Sequence, residues 1–146
     1  MALVEDELAR LVKFGFLNDT AYARGKARSL LRRGNGLRLV GTKLRQKGVP
    51  SEVIDAVLAE VEAELGVDPN QLSAALYARK RRMGPWARPP RGDDGPEARR
   101  VRRQRDLQRM ARAGFSYDLA RGIVDVTPGS PEAEELEELV HVRRSL

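Results

Sequence analysis

Three segments of the chain repeat one pattern, and this pattern constrains the fold more than any other feature. Each copy begins with leucine or methionine, and glycine follows after three residues of any type. A large apolar residue comes directly after the glycine, and an acid follows after two more residues. The copies are Leu11–Asp19, Leu44–Glu52 and Met110–Asp118. Such a segment describes a helix that ends at glycine, an apolar residue under the turn and an acid at the start of the next helix. We therefore predict a chain of repeated helical hairpins.

Glycine, proline and capping residues predict where the helices begin and end. Asn18 or Asp19 can cap the second helix, Asp68 the fifth and Ser116 the seventh. The stretch 84–96, GPWARPPRGDDGP, is predicted to be an exposed loop. No stretch alternates as a half-buried strand does, so the predicted class is all-α. The predicted helices cover residues 3–14, 18–33, 37–47, 51–65, 69–83, 97–113, 116–126 and 131–144.

The charge balance favours a polyanionic partner. The chain carries 27 Lys+Arg against 21 Asp+Glu, a net charge of +6. Between Arg24 and Lys47 there are nine basic residues and no acid. Such an excess suits nucleic acid or an acidic protein surface. No apolar run approaches the ~18–20 residues that a membrane span needs, and the first residues, MALVEDELAR, lack the layout of a secretory signal. We expect a cytoplasmic monomer.

Residue types that support catalysis or cofactor binding are scarce. The chain has no cysteine and one histidine, His141, which excludes thiol catalysis and a Ser/His/Asp triad. The stretch 36–43, GLRLVGTK, resembles a phosphate-binding loop, but its Thr and Lys are in the wrong order and no strand precedes it. We interpret Gly41 as a close-packing site. We expect no enzyme activity, cofactor, metal or small-molecule substrate.

The segment 46–51, between two predicted helices, suggests a helix-turn-helix. Its second helix would then enter the major groove of DNA. That helix carries five acids and no base, so it would be repelled by the phosphates. We reject this docking mode. The acids are Glu52, Asp55, Glu60, Glu62 and Glu64.

Two helices carry stripes of arginine. Arg24, Arg28 and Arg32, the first stripe, spread over about 80° of their helix. A second stripe on the long helix 97–113 spans a similar arc, and Leu107, Met110 and Ala111 define the opposite, core-facing side. The short helix between the stripes adds Arg38 and Arg45 on one side, with Lys43 and Lys47 on another. The second stripe consists of Arg102, Arg105, Arg109 and Arg112.

These cations are interpreted as an anion-binding surface and not as a solvated face with surface ion pairs. Residues 20–51 contain no acid that could form such pairs, and unpaired like charges cost free energy. Residues 79–112 contain twelve arginines and one lysine, which suits bidentate pairing with phosphate or carboxylate. Trp86 is either an interface anchor or a local packing residue.

Three stretches of the sequence resemble the signature motifs of a known family. Residues 15–24, GFLNDTAYAR, are similar to the GYLDDxxFA motif of the RecX family, and a basic helix with Arg32-Arg33-Gly34 follows as it does there. Residues 44–49, LRQKGV, and 112–118, RAGFSYD, resemble the next two signature stretches. The resemblance covers residues 2–126, with three motifs in the correct order.

The resemblance implies tandem three-helix repeats that form an elongated, curved array. Residues 18–66 and 67–126 would each be one repeat. Residues 1–17 match only the last helix of a preceding repeat, whose first two helices have no counterpart in this sequence. The acidic segment 127–146, with a possible helix, lies outside the family pattern.

The resemblance also implies a partner, the RecA recombinase filament on single-stranded DNA. RecX proteins lie in the filament groove and damp ATP hydrolysis, strand exchange and the DNA-damage response. We expect weak binding to single-stranded DNA alone. The other interpretation is a basic helical protein that binds nucleic acid without a recombinase. In either case the expected binding residues are Arg24, Arg28, Arg32, Arg33, Arg38, Lys43, Arg45, Lys47, Arg102, Arg105, Arg109 and Arg112.

Overall fold

The structure, a computed structural model, describes the backbone of residues 2–146 and the side chains of residues 7–10 and 18–146. Every regular element in this range is helical, which confirms the predicted all-α class. Two short 3-10 turns, Gly84–Trp86 and Val142–Ser145, complete the elements. The helices are α1 (Ala2–Arg32), α2 (Leu37–Gln46), α3 (Ser51–Leu65), α4 (Pro69–Arg81), α5 (Pro96–Arg112), α6 (Tyr117–Val124) and α7 (Pro131–His141).

The first predicted helix boundary is wrong, because α1 continues through Gly15 for 31 residues. Glycine permits a left-handed turn but does not require one. Inside a helix it costs only about 1 kcal/mol relative to alanine. Asn18 and Asp19, the predicted caps, therefore lie within α1. The predicted packing of Phe16 concerns a side chain outside the described set.

The other two copies of the repeated pattern end their helices as predicted. Gly48 and Gly114 have φ values of 84° and 93°, in the left-handed region that favours glycine. The following apolar residue in each case donates its N–H to a carbonyl five residues earlier, with Val49 to Leu44 at 3.1 Å and Phe115 to Met110 at 3.2 Å. These bonds satisfy carbonyls that a helix end leaves without a partner.

The predicted N-caps of α4 and α6 are confirmed. The Asp68 carboxylate accepts the Asn70 N–H at 2.8 Å, with Pro69 at the first helical position. The Ser116 hydroxyl accepts the Leu119 N–H at 3.3 Å. Each bond satisfies one donor that the first helical turn leaves free, so local sequence alone determines where these helices start.

The apolar core consists of two clusters that share α4. The first joins the end of α1 with α2 and α3, and the second joins α4 with α5 and α6. On α4, Leu72 and Leu76 belong to the first cluster while Ala74 and Ala78 belong to the second. The molecule is thus an array of two three-helix units: the first consists of the end of α1 with α2 and α3, and the second consists of α4, α5 and α6.

Glycines allow the two units to approach each other closely. The Gly36 N–H donates to the Ala113 carbonyl at 2.7 Å, and a Cβ at Gly36 would overlap the Gly114 carbonyl. A Cβ at Gly34 would lie 2.9 Å from the Tyr77 Cβ. Gly41, the predicted close-packing site, faces only the flexible end of Arg45. The close contact therefore lies at the start of α2, five residues before the predicted position.

The loop predicted at 84–96 is partly ordered into the core. Its first three residues form a 3-10 turn, and Gly84 is buried against the Ile123 carbonyl. Trp86 packs against both apolar clusters and donates its indole N–H to Glu137 on α7 at 2.8 Å. Of its two interpretations, local packing is the one that the structure supports. Residues 87–94 are exposed.

The acidic segment after residue 126 forms a docked helix and not a free tail. Val140 on α7 is 2% exposed within the first cluster, and Leu136, Leu139 and Leu146 pack against that cluster. The predicted helix 131–144 is confirmed as far as His141, where the 3-10 turn takes over. Its five acids face outwards while its apolar residues cover α4.

Candidate basic interface

The first arginine stripe is largely paired with acids of α3. Both Nε and Nη2 of Arg24 donate to Glu60 Oε2, at 3.3 and 3.0 Å. Arg28 forms an ion pair with Glu64. The expectation that these arginines lack acidic partners was therefore wrong, because the partners lie 36 residues away along the chain and come close only through helix packing.

The segment 142–146 also covers this stripe. Arg28 Nη1 donates to the Ser145 carbonyl at 3.0 Å, and Arg32 donates to the main-chain oxygen of Leu146. Hydrogen bonds from a charged donor are stronger than neutral ones. The first stripe thus holds α3 and the end of the chain against α1, and only Arg32 among its three members is exposed overall.

The cations of α2 are more accessible to solvent than those of the first stripe. Arg38 and Lys47 are exposed, and the described part of the chain offers neither an acid within ion-pair distance. Lys43 donates to the Asn35 side-chain oxygen at 3.2 Å, and Arg45 to the Thr42 hydroxyl at 3.4 Å. These two partners are neutral, so the charges of α2 remain uncompensated.

The buried face of α5 is close to the predicted one. Leu107 and Met110 are buried as expected, at 7% and 0% exposure. Ala111, also predicted to face the core, is exposed, and Ala113 is buried instead. At 100° per residue, Ala111 lies about 100° from Met110, beyond the edge of a narrow apolar face. The core-facing arc of α5 is therefore rotated away from Ala111 and towards Ala113.

The arginines of the second stripe differ in whether they have an acidic partner. Arg102 forms an ion pair with Asp94 and donates to the Asp93 carbonyl at 3.2 Å, which fixes the loop against α5. Arg105 has only its neighbour Asp106 within reach, at 3.8 Å. Arg109 and Arg112 are exposed, with no acid within ion-pair distance in the described residues. The free part of this stripe consists of Arg105, Arg109 and Arg112.

A single acid, Asp106, lies among these arginines in the middle of α5. Burial raises the pKa of the Asp106 carboxyl, and the nearby charges of Arg105 and Arg109 only partly oppose this rise. One acid stands among Arg102, Arg105, Arg109 and Arg112, so the exposed face of α5 carries a positive charge.

One further arginine of α5 has a structural role. Arg103 donates to both oxygens of Asp125, at 2.7 and 3.0 Å. The hydrogen bond from Arg103 lowers the pKa of the Asp125 carboxyl below its usual range, although burial acts in the opposite direction. This bidentate pair ties α5 to the end of α6.

The fold brings α2 and the second stripe to one junction. The hydrogen bond from Gly36 to Ala113 places the first turn of α2, with Arg38, beside the last turn of α5, with Arg112. The first stripe lies on α1, where α3 and the segment 142–146 engage it. The predicted residues therefore lie apart: the α2–α5 group is open, Arg24 and Arg28 are engaged by other elements, and Arg32 and Arg33 are exposed at the end of α1.

Five cations that the sequence analysis did not select also converge. Together with Arg32 and Arg33 they line a groove between the ends of α1 and α4 and the last turn of the chain. The run ARKRR at 78–82 is the signal that could have indicated them. The five are Arg79, Lys80, Arg82, Arg143 and Arg144.

Two further kinds of functional feature concern the described residues, a metal site and a membrane-spanning helix. Within residues 7–10 and 18–146, no three carboxylate or histidine side chains come together as they would around a metal ion. In residues 2–146, no helix combines the length and the apolar character that crossing a bilayer demands.

Comparison with known proteins gives consistent results. Residues 18–58 match the family described as RecX, second three-helix domain. "Regulatory protein RecX" of Myxococcus xanthus is 41% identical over 128 residues, which cover 88% of this chain and 64% of that protein. Proteins of the same name from Agrobacterium fabrum and Mycobacterium sp. strain JLS are each 32% identical over 120 residues, 82% of this chain.

These matches cover 56% and 61% of the two latter proteins, so the chain spans less than two thirds of the length of its curated relatives. No solved structure matches it. The family match begins at residue 18 and includes α2 and about half of α3. The similarity extends over both three-helix units of the fold. This chain therefore belongs to the RecX family of regulatory proteins.

Proposed function

We propose that the chain regulates the RecA recombinase as an inhibitor. It would bind in the groove of the RecA–single-stranded DNA filament and damp ATP hydrolysis, strand exchange and the DNA-damage response. The similarity to proteins named "Regulatory protein RecX", over 88% of the chain, carries this proposal. In this role the chain would be a cytoplasmic monomer, without enzyme activity, cofactor or small-molecule substrate.

The exposed charge of the α2–α5 group supports a polyanionic partner. Arg105, Arg109 and Arg112 occupy one side of α5, and Arg38 lies at the adjoining start of α2. Arginine forks pair with carboxylates on a protein and with DNA phosphates alike. A filament presents both kinds of group in one groove. We therefore assign the filament contact first to this group.

The repeat architecture suits a groove. Each three-helix unit contacts its neighbour through α4, so further units extend the array in one direction. Our proposal keeps residues 18–66 and 67–126 as two family repeats and residues 1–17 as the last helix of a preceding one. The segment 127–146 would be an addition to these repeats, with α7 packed against α4.

The second candidate function is binding to nucleic acid without a recombinase, which the net charge of +6 favours. Binding of labelled single-stranded DNA, naked or coated with RecA, distinguishes the two at ~150 mM salt. The regulator should bind the coated strand much more tightly, because protein contacts persist when counterions screen the phosphates. Equal affinity for both forms would favour the second candidate.

A further inference from the structure

A basic groove forms where three helix ends converge. The end of α1, the end of α4 and the turn that follows α7 enclose two adjoining cavities of about 520 and 680 Å³. Arg32, Arg79 and Arg143 line both. Arg33, Lys80, Arg82 and Arg144 complete the cationic lining, and no acidic residue belongs to it.

Most of the seven cations of this groove are uncompensated. Arg32 donates to the carboxylate of Leu146, the last residue of the sequence, and within the described residues none of the other six has an acid within 4.0 Å. Basic residues are common at helix C-termini because the helix dipole ends there in partial negative charge. Three such ends supply about −1.5 elementary charges. Dipole compensation therefore accounts for a minority of the positive charge.

Arg82 is held in the groove by an unusual backbone conformation. It ends α4 with φ 59° and ψ 53°, and it is the one non-glycine residue with positive φ in the described chain. Its hydrogen bonds repeat the pattern found at Gly48 and Gly114: the Arg82 N–H donates to Arg79 and the Met83 N–H to Ala78. Those two equivalent positions use glycine, which adopts this conformation without strain. Strain that persists in a folded chain often marks a functional position.

We infer that this groove binds the sugar–phosphate backbone of nucleic acid. Guanidinium groups pair with phosphates through two parallel hydrogen bonds. Among the described residues, His141 is the one side chain with a ring that lines the groove, so bases would find at most one surface on which to stack. Recognition would therefore be independent of sequence and sensitive to salt. This inference goes beyond the proposed function, because it concerns nucleic acid alone and holds with or without a recombinase.

The test uses Arg82→Gly in the full chain and the fluorescence anisotropy of a labelled oligothymidylate at ~50 mM salt. We expect an affinity about fivefold lower than that of the wild type. The slope of log affinity against log salt should also fall by about 0.7 for the lost phosphate contact. The melting temperature should be equal or higher, because glycine removes the backbone strain. A loss of binding without a loss of stability cannot come from unfolding.

Arg91→Gly is the matched control, since Arg91 is exposed in the loop and lies outside the groove. It removes the same charge and should leave the affinity within about twofold of the wild type, through the long-range field alone. Equal effects of the two substitutions would overturn the inference. So would an Arg82→Gly variant that binds polyglutamate more weakly but oligothymidylate as well as the wild type, because the groove would then serve an acidic protein. Titration with a duplex of the same length identifies which form of nucleic acid uses the site.

Discussion

Gly36 shows how single residues determine the fit between the two units. A Cβ there would overlap the backbone of Gly114, which cannot move without displacing the end of α5. Gly36→Ala should therefore lower the free energy of unfolding by about 1–3 kcal/mol, as overpacking usually does. Urea unfolding followed by circular dichroism measures the change.

Gly25→Ala is the matched control for this substitution. Gly25 lies within α1, and no atom approaches the position of its Cβ within 4 Å. Alanine there should raise the stability by about 0.5–1 kcal/mol, because glycine is a poor helix former. A Gly36→Ala variant as stable as Gly25→Ala would contradict the close contact between the units.

A second prediction at this scale concerns pH. The hydrogen bond from Arg103 lowers the pKa of Asp125 in the folded state, so the ionised carboxylate stabilises the fold. That contribution is present above the unfolded pKa of about 3.9 and is lost as pH falls through the lower folded value. Asp125→Asn should therefore be less stable than the wild type at neutral pH.

The difference should narrow as the pH falls below about 4. Both side chains of the pair are about two-fifths exposed, at 41% and 43%, so solvent screening keeps the effect small. Urea unfolding of both proteins across this pH range measures the difference. A difference that stays constant with pH would show that packing and not charge carries the effect of Asp125.

At the scale of elements, local signals predicted most helix boundaries. Asp68, Ser116, Gly48 and Gly114 each satisfy backbone groups within a few residues of their own position, so the sequence reports their role directly. Gly15 gives the same signal, yet α1 continues through it. A glycine can either end a helix or lie within one, and at Gly15 the helix continues.

The contacts between helices could not be predicted from such local signals. Arg24 is paired with Glu60, and Arg28 contacts Ser145, 117 residues away. Such pairs depend on how helices pack, and helical periodicity gives only the face on which a residue lies. The same reason explains why the docking of α7 and the groove at Arg82 were not predicted.

Trp86 provides a test of how strongly the elements cooperate. It is the single tryptophan of the chain, and it packs against both apolar clusters and contacts α7. Tryptophan fluorescence and circular dichroism should therefore give coincident urea unfolding curves, because both clusters lose their packing together. A fluorescence change that precedes the loss of helix would indicate that the second unit and α7 unfold separately.

At the scale of the whole molecule, we expect the free arginines of the second stripe to contact the filament. Reversing Arg105 and Arg109 to Glu leaves Leu107 and Met110 in the core, so stability should change by about 0.5 kcal/mol or less. Against an acidic partner, each reversal removes an attraction and adds a repulsion. Arg88→Glu/Arg91→Glu, in the exposed loop, changes the net charge equally and is the control.

The decisive measurement is the rate of ATP hydrolysis by RecA on single-stranded DNA with increasing amounts of each protein. The wild-type chain and the Arg88→Glu/Arg91→Glu control should slow hydrolysis, while Arg105→Glu/Arg109→Glu should lose most of this inhibition at an unchanged melting temperature. A wild-type chain that leaves the rate unchanged would contradict the proposed regulation of the filament. A double variant that inhibits as well as the wild type would contradict the role of the second stripe.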